Sequence, residues 1–388
     1  MDRKLIMKER HFKTNCVHSG NVEDTLYKGS ISPLYMSTSY AFEEGEINQY
    51  PRYFNTPNQR GLSKKVASLE GAESGLIFSS GMAAVSTTLL SHLSPGDHVI
   101  FQNDLYGGTR NFVKKEFLKY QIEFSFTEGL SLENIIAKRK PNTRGIYVES
   151  PSNPTLQLVN LKELASWAKS EVLWTIIDNT FASPVNQNPI ALGIDIVIHS
   201  ATKYLGGHSD ISAGAVVGKH KAISKVYEVA KNLGGNLSDA SVWLLERSIK
   251  TLSLRVEAQN NNAQQLAFFL EEQSWIKKVY YPGLPSHPNH DLAKAQMKGF
   301  GGMLSFELDP KIKVSDFFSN LTLIKPSMSL AGVESTLLSP RLTSHALLTE
   351  EERIDQGITP HLIRFSCGIE AFEDLKEDLE NAVKNCTL

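Results

Sequence analysis

Between about residues 60 and 220, short apolar runs alternate with stretches of helical spacing. This rhythm constrains the fold more than any other property of the chain. Leu76-Ile77-Phe78, His98-Val99-Ile100-Phe101, Ile146-Tyr147-Val148, Leu173-Trp174-Thr175-Ile176-Ile177 and Ile194-Asp195-Ile196-Val197-Ile198 each read as a short buried strand. Leu62 to Leu69 and Leu161 to Ala168 have helical spacing. Strands that alternate with helices form βαβ units, so the expected fold is α/β with a mostly parallel central sheet and helices on both faces.

The flanks differ. The first ~45 residues are rich in Ser, Thr and Pro with little helical periodicity, and Ile31-Ser32-Pro33-Leu34-Tyr35 reads as part of an extended arm on a neighbouring subunit. From Leu244-Leu245-Glu246-Arg247 one long helical pattern runs to about Glu272, followed by the turn-rich Tyr281-Pro282-Gly283-Leu284-Pro285. Gly302 to Glu307 and Leu362 to Ser366 then read as strands of a smaller α+β unit. The expected division is an arm over 1–50, an α/β domain over 51–245 and a C-terminal α+β domain over 246–388.

Composition narrows the function classes. Forty Lys and Arg nearly balance 42 Asp and Glu, so no basic field favours nucleic acid. No apolar run reaches membrane-spanning length, and Met1-Asp2-Arg3-Lys4 opens without the apolar core of a signal peptide. Cys16, Cys367 and Cys386 form neither a CxxC pair nor a metal-ligand spacing, and a reducing cytoplasm is the expected compartment. No metal is expected. His208 with Asp210, and His287-Pro288-Asn289-His290, read as loop residues, and Cys367 as buried packing.

Ligands of open α/β sheets bind beyond the carboxyl ends of the strands, so the residues that follow each strand carry the functional signal. Ser79-Ser80-Gly81-Met82 runs from a strand into a helix, a start suited to phosphate. Tyr106 stands beside Gly107-Gly108, where its ring can stack on a planar group. Asp178 closes one strand, and Ser200-Ala201-Thr202-Lys203 follows another. A lysine held in a turn between two hydroxyl residues can act as a nucleophile toward an aldehyde cofactor whose phosphate the hydroxyls hold. A pyridine ring needs this set: an Asp for its nitrogen, an aromatic over its face and a Lys at its aldehyde.

Ser80-Gly81-Met82, Tyr106-Gly107-Gly108-Thr109, Glu149-Ser150-Pro151-Ser152-Asn153-Pro154, Asp178-Asn179-Thr180 and His199-Ser200-Ala201-Thr202-Lys203-Tyr204 resemble the cystathionine γ-synthase family, the Cys/Met-metabolism group of fold-type I pyridoxal-phosphate enzymes. The resemblance extends from His18-Ser19-Gly20 into the C-terminal region. It implies that Lys203 carries pyridoxal 5'-phosphate, that Asp178 partners the ring nitrogen and that Tyr106 stacks on the ring. Ser80, Gly81, Met82, Ser200 and Thr202 would hold the phosphate, joined by Tyr50 and Arg52 from an adjacent subunit. Arg364 would clamp the substrate α-carboxylate, Asn153 would lie near the cofactor's phenolic oxygen and Ser329 would restrain Lys203. The implied assembly is a homotetramer made of two dimers. The implied chemistry is trans-sulfuration, with Lys203, aided by Tyr106, moving protons. Cystathionine γ-synthase activity on O-succinyl- or O-acetylhomoserine with cysteine is the leading expectation, and cystathionine γ- or β-lyase activity the alternative.

Three departures bear on specificity. Arg110 directly follows Thr109 and Asn111 comes next, where the family has one variable residue and then Arg. Met328 precedes Ser329 where Glu is common, and Asn55-Thr56-Pro57 replaces Asn-Pro-Thr. A rival reading takes Ser200-x-x-Lys203 as an acyl-enzyme motif, but Ser238-Asp239-Ala240 and Lys250-Thr251-Leu252 lack its companion signatures. A non-catalytic scaffold would have little use for both Lys203 and Arg364.

Overall fold

The computed structural model describes residues 10–42, 48–343, 345–346 and 348–386. Seven strands form the large sheet: β1 (Ser74–Phe78), β2 (His98–Phe101), β3 (Glu123–Phe126), β4 (Thr143–Glu149), β5 (Trp174–Asp178), β6 (Ile196–His199) and β7 (Gly214–Gly218). Their order is β1-β7-β6-β5-β4-β2-β3. β6, β5, β4, β2 and β3 run parallel, while β7 pairs antiparallel with both β1 and β6. The expected α/β architecture is present.

Period-two alternation explains why these strands read as continuous apolar runs. Ile177, Val197 and Val217 pack into one buried cluster, and their neighbours Ile176, Ile198 and Val216 into another. Both faces of the sheet are thus covered, and no polar face remains to interrupt the pattern. β3 lies at the sheet's edge and was not foreseen; Glu-Phe-Ser-Phe alternates because the strand is only partly covered.

The small sheet contains β8 (Ile276–Tyr280), β9 (Met303–Leu308), β10 (Lys325–Pro326), β11 (Thr336–Leu338) and β12 (Leu362–Ser366), in the order β10-β11-β12-β9-β8. All pairs are antiparallel except β10 with β11. The single long helix expected from Leu244 is instead two, Asp239–Ile249 and Leu252–Glu271. Arg255 occupies the break: its Nη2 donates to Ser248 O at 3.0 Å and its Nη1 to Tyr204 O at 2.9 Å. A guanidinium thus satisfies a carbonyl that a continuous helix would have bonded internally.

At the N-terminus, residues 1–9 and 43–47 of the expected arm lie outside the described residues. The described part begins with a helix that the sequence reading missed, α1 (Phe12–His18). Tertiary contact holds it: the buried Lys65 ammonium, on α2 (Pro57–Glu70), donates to Cys16 O at 3.1 Å and Asn21 Oδ1 at 3.0 Å. Residues 30–42 form no helix or strand, and Tyr27, Ile31, Met36 and Phe42 are exposed. No described helix is long and apolar enough to cross a membrane.

Candidate active site

A cavity of about 460 Å³ opens at the carboxyl end of the large sheet. Its lining includes Ser80, Gly81, Met82, Tyr106, Asn153, Asp178, Ser200, Thr202, Lys203, Ser329 and Arg364. Of the residues expected to hold cofactor or substrate, Tyr50 and Arg52 are absent from that wall. Arg52 lies in the short turn Pro51–Tyr53, donates to Lys231 O and packs over the Tyr53 ring at 5.0 Å.

The lysine turn is fixed by its return strand. Thr202 N and Oγ1 each donate to Ala213 O at 3.1 Å, and Ala213 N donates to Thr202 Oγ1 at 3.0 Å. Gly207, with φ of +72°, closes the turn where a Cβ would collide with the Arg255 guanidinium. Lys203 Nζ donates to Ser329 Oγ at 3.0 Å. Burial, aided by the nearby Arg364 charge, brings the Lys203 ammonium down to about 8. A lysine that must shuttle protons near neutrality needs such a shift.

Ser80 caps α3 (Gly81–His92) by accepting from Ala83 N at 3.0 Å. Its hydroxyl oxygen accepts the cap bond while its O–H remains available to donate, so it can face an anion together with the first helical N–H groups, those of Gly81 and Met82. Ser200 presses close to them: a Cβ at Gly81 would lie 2.9 Å from the Ser200 Cβ. At the opposite end, Asp178 and Glu149 are register partners on β5 and β4. Burial raises the pKa of both, that of Glu149 well above the ordinary carboxyl range with the Asp178 charge adding to it. Asp178 Oδ1 accepts from Thr180 N at 3.0 Å, and Thr180 Oγ1 accepts from Ser200 N at 2.8 Å. Glu149 accepts the Tyr106 N–H at 3.0 and 3.1 Å, so it sets the start of α4 (Gly107–Glu116) and the backbone that carries the ring. The sequence reading quoted Glu149 without giving it a role; its place on the strand-end register was the available signal.

The small sheet supplies the facing wall. Arg364 on β12 is buried, with Nη1 donating to Asn153 Oδ1 at 3.2 Å and Nη2 to Ser329 O at 2.9 Å. Its Nε–H has no partner among the described residues. An unsatisfied buried guanidinium edge beside a cavity suits a carboxylate. Ser329 adopts φ of +88°, an uncommon conformation for a residue with a Cβ. Arg110 does not line the cavity; it faces Glu352, Asn103 and Phe126.

Helix N–H groups facing Ser200, where a Cβ at Gly81 would intrude, a buried Asp, an aromatic on a fixed turn and a lysine of depressed pKa fit pyridoxal phosphate. Together with the doubly covered sheet they define a fold-type I pyridoxal-phosphate enzyme. The chain belongs to the Cys/Met metabolism PLP-dependent enzyme family, whose model matches residues 13–384. It is 43% identical over 376 residues to a cystathionine β-lyase of Lactococcus lactis subsp. cremoris (strain MG1363), covering 96% of this chain and 98% of that one. It is 40% identical over 378 residues to a cystathionine γ-synthase/O-acetylhomoserine (thiol)-lyase of Bacillus subtilis (strain 168), with 96% of each chain covered. The crystal structure of cystathionine γ-lyase from Lactobacillus plantarum complexed with L-serine superposes with a TM-score of 0.93 at 37% identity, over 97% of this chain and 100% of that one. The protein is therefore a pyridoxal-phosphate-dependent lyase or transferase of Cys/Met metabolism.

Proposed function

We infer that this enzyme cleaves the carbon–sulfur bond of a thioether amino acid of the cystathionine class by α,β-elimination. One observation bears on the choice: among the described lining residues Lys203 and Arg364 are the only cations, with Arg110 turned away, and the thioether is then favoured by the β-lyase relative at 43% identity. Beyond these two, the wall includes Met328, Leu330 and Leu338. An apolar wall suits the Cβ–S–Cγ span of a thioether; a distal carboxylate, whether of an O-succinyl group or of cystathionine itself, finds no counter-charge there, so cystathionine's distal ammonium and carboxylate would reach past the wall to solvent.

Bound pyridoxal phosphate supplies an electron sink for the charge left when the α-proton departs. Arg364 receives the α-carboxylate through Nε–H and an Nη–H, and so fixes the Cα–H bond relative to Lys203. Asn153 Oδ1 and Ser329 O hold the guanidinium plane from behind. The Lys203 amine takes the α-proton; the Cβ–S bond then breaks and the sulfur leaves as a thiol with one proton. Water converts the three-carbon remainder to pyruvate and ammonia. Ser329 Oγ steers the lysine amine between these positions, and Asp178 would hold the ring-nitrogen proton. Ser80, Gly81, Met82 and Ser200 would hold the phosphate, joined by Thr202 once its hydroxyl turns from Ala213 O.

The second reading is γ-synthase activity on O-acetylhomoserine, whose acyl group carries no distal carboxylate and so needs no extra cation. Incubation of purified enzyme with L-cystathionine should yield pyruvate and homocysteine. If O-acetylhomoserine plus cysteine instead gives cystathionine faster than cystathionine is consumed, the lyase reading is overturned.

The resemblance also supports an oligomer, a tetramer of two dimers, in which Tyr50 and Arg52 serve a neighbouring subunit's phosphate. The exposed Tyr27, Ile31, Met36 and Phe42 suit burial against such a neighbour. Loss of one charge-assisted phosphate contact costs roughly 1.5–3 kcal/mol. Arg52→Ala should thus weaken cofactor retention about 10- to 100-fold, read by dialysis against buffer. Unchanged retention would remove the shared site.

A further inference from the structure

The rim of the cavity carries a contact that the elimination chemistry does not use. Between β11 and β12 the chain leaves the small sheet, forms the turn Pro340–Leu342 and the helix Glu350–Asp355, and returns with Arg364. Leu338, the last residue of β11, and Thr343, within this connection, line the cavity. Its helix is held against the other wall. Glu352 accepts from Arg110 Nη2 at 3.0 Å and from Lys114 Nζ at 2.6 Å, and Gln356 Nε2 donates to Asn103 O at 3.2 Å. Glu352 also closes its own helix start, exchanging bonds with Thr349.

Arg110 is the hub of this contact. Its guanidinium is buried 4.1 Å over the Phe126 ring, and Nη1 donates to Asn103 O and Oδ1 at 3.0 Å each. Its backbone N–H donates to Tyr106 O at 3.0 Å. Asn103 and Arg110 therefore bracket the turn that presents Tyr106. Burial works against the Glu352 charge, but the bonds from Lys114, Thr349 N–H and Arg110 outweigh it and hold the carboxyl down to about 2. The contact is ionic throughout the pH range of an assay.

We propose that Arg110 is a positioning residue that latches the β11–β12 connection to the Asn103–Tyr106 turn and so sets the substrate-facing wall made by Leu338 and Thr343. The guanidinium is committed to Glu352, Asn103 and Phe126, and it acts on substrate only through that wall. The planar fork serves three partners at once, which a lysine point charge does not. The choice of substrate in the test rests on the lyase reading; the latch does not.

The test compares holoenzymes of wild type, Arg110→Gln, Arg110→Lys, Glu352→Gln and the double Gln variant. Trypsin reports the latch directly, because Arg341 and Arg353 lie in the connection. Cleavage there should quicken roughly tenfold in Arg110→Gln and Glu352→Gln, with other sites unaffected. The KM for L-cystathionine should rise roughly tenfold, kcat should change less than about threefold, and the double variant should be no worse than either single one. Arg110→Lys should fall between. Unchanged tryptic protection overturns the latch, and faster cleavage with unchanged KM overturns the positioning role. Glu352→Gln, at a partly exposed position, keeps the test decisive if the buried Arg110 substitution does not fold. If wild type leaves cystathionine intact, the lyase reading fails by itself, and the KM comparison is made with O-acetylhomoserine and cysteine.

Discussion

The two walls of the cavity are built by different means. On the large-sheet side, backbone register does the positioning: Asp178 stands opposite Glu149 and Ile198, the lysine turn is bonded to Ala213, and Ser80 caps α3. On the small-sheet side, Arg364 sits on a strand but takes its bearings from loops, through Asn153 Oδ1 and the carbonyl of Ser329. Ser329 and Ala331 both have positive φ in that loop. Strand ends hold an unchanging cofactor, whereas loops can be re-aimed at different substrates without disturbing the sheet. The comparison separates what makes the enzyme a pyridoxal-phosphate catalyst from what chooses its bond.

The largest test of the separation is Lys203→Ala. It removes the group that both anchors the cofactor and moves the proton, so turnover should fall by roughly 10⁴-fold or more and the lysine-linked visible absorbance should vanish. Activity within about tenfold of wild type would show that another residue carries the proton. Next in size is Arg364→Lys. It keeps the charge but loses the fork, and kcat/KM should fall roughly 10²- to 10³-fold while cofactor absorbance stays as in wild type. A parallel loss of cofactor would mean the walls are not separable.

The walls also differed in how much could be read from sequence. Period and strand-end position exposed the large-sheet side: Ile176 and Ile177 face opposite clusters, and the polar residues that follow such runs point beyond the sheet. Helix α1 was invisible because Lys65, far along the chain, holds it. The break at Lys250 was invisible because Arg255 satisfies the freed carbonyl. At Arg110 the departure from the family pattern was plain, but its partner Glu352 lies 242 residues away. A local pattern can report that an arginine has moved without saying what it now holds.

The walls meet electrostatically at Lys203, and pH can measure the meeting. The neutral amine attacks the aldehyde, so its fraction rises with pH up to the group's pKa and then levels. With that pKa at about 8, the rate at which apoenzyme takes up pyridoxal phosphate should climb about tenfold per unit below pH 8 and flatten above it. An ordinary lysine would continue climbing to about 10.4. Arg364→Gln removes a cation that disfavours the ammonium form, so the midpoint should move upward. Burial, the larger cause, persists and keeps it below the ordinary value. A midpoint unmoved by Arg364→Gln would make the two walls electrostatically independent.

The smallest expected effect falls on a residue that touches both Lys203 and Arg364. Ser329 accepts from Lys203 through its hydroxyl and from Arg364 through its carbonyl. Ser329→Ala deletes only the first bond, worth about 1 kcal/mol, so kcat should drop roughly fivefold with KM little changed. Ser329→Gly also removes the Cβ that is strained at φ of +88° and frees the backbone that aims the carbonyl. If the loop positions Arg364, the Gly variant should add a rise in KM that the Ala variant lacks. If the two variants behave alike, the hydroxyl is the whole contribution of Ser329. Arg364 would then owe its geometry to β12 and Asn153, and the small-sheet wall would be as strand-determined as the large-sheet one.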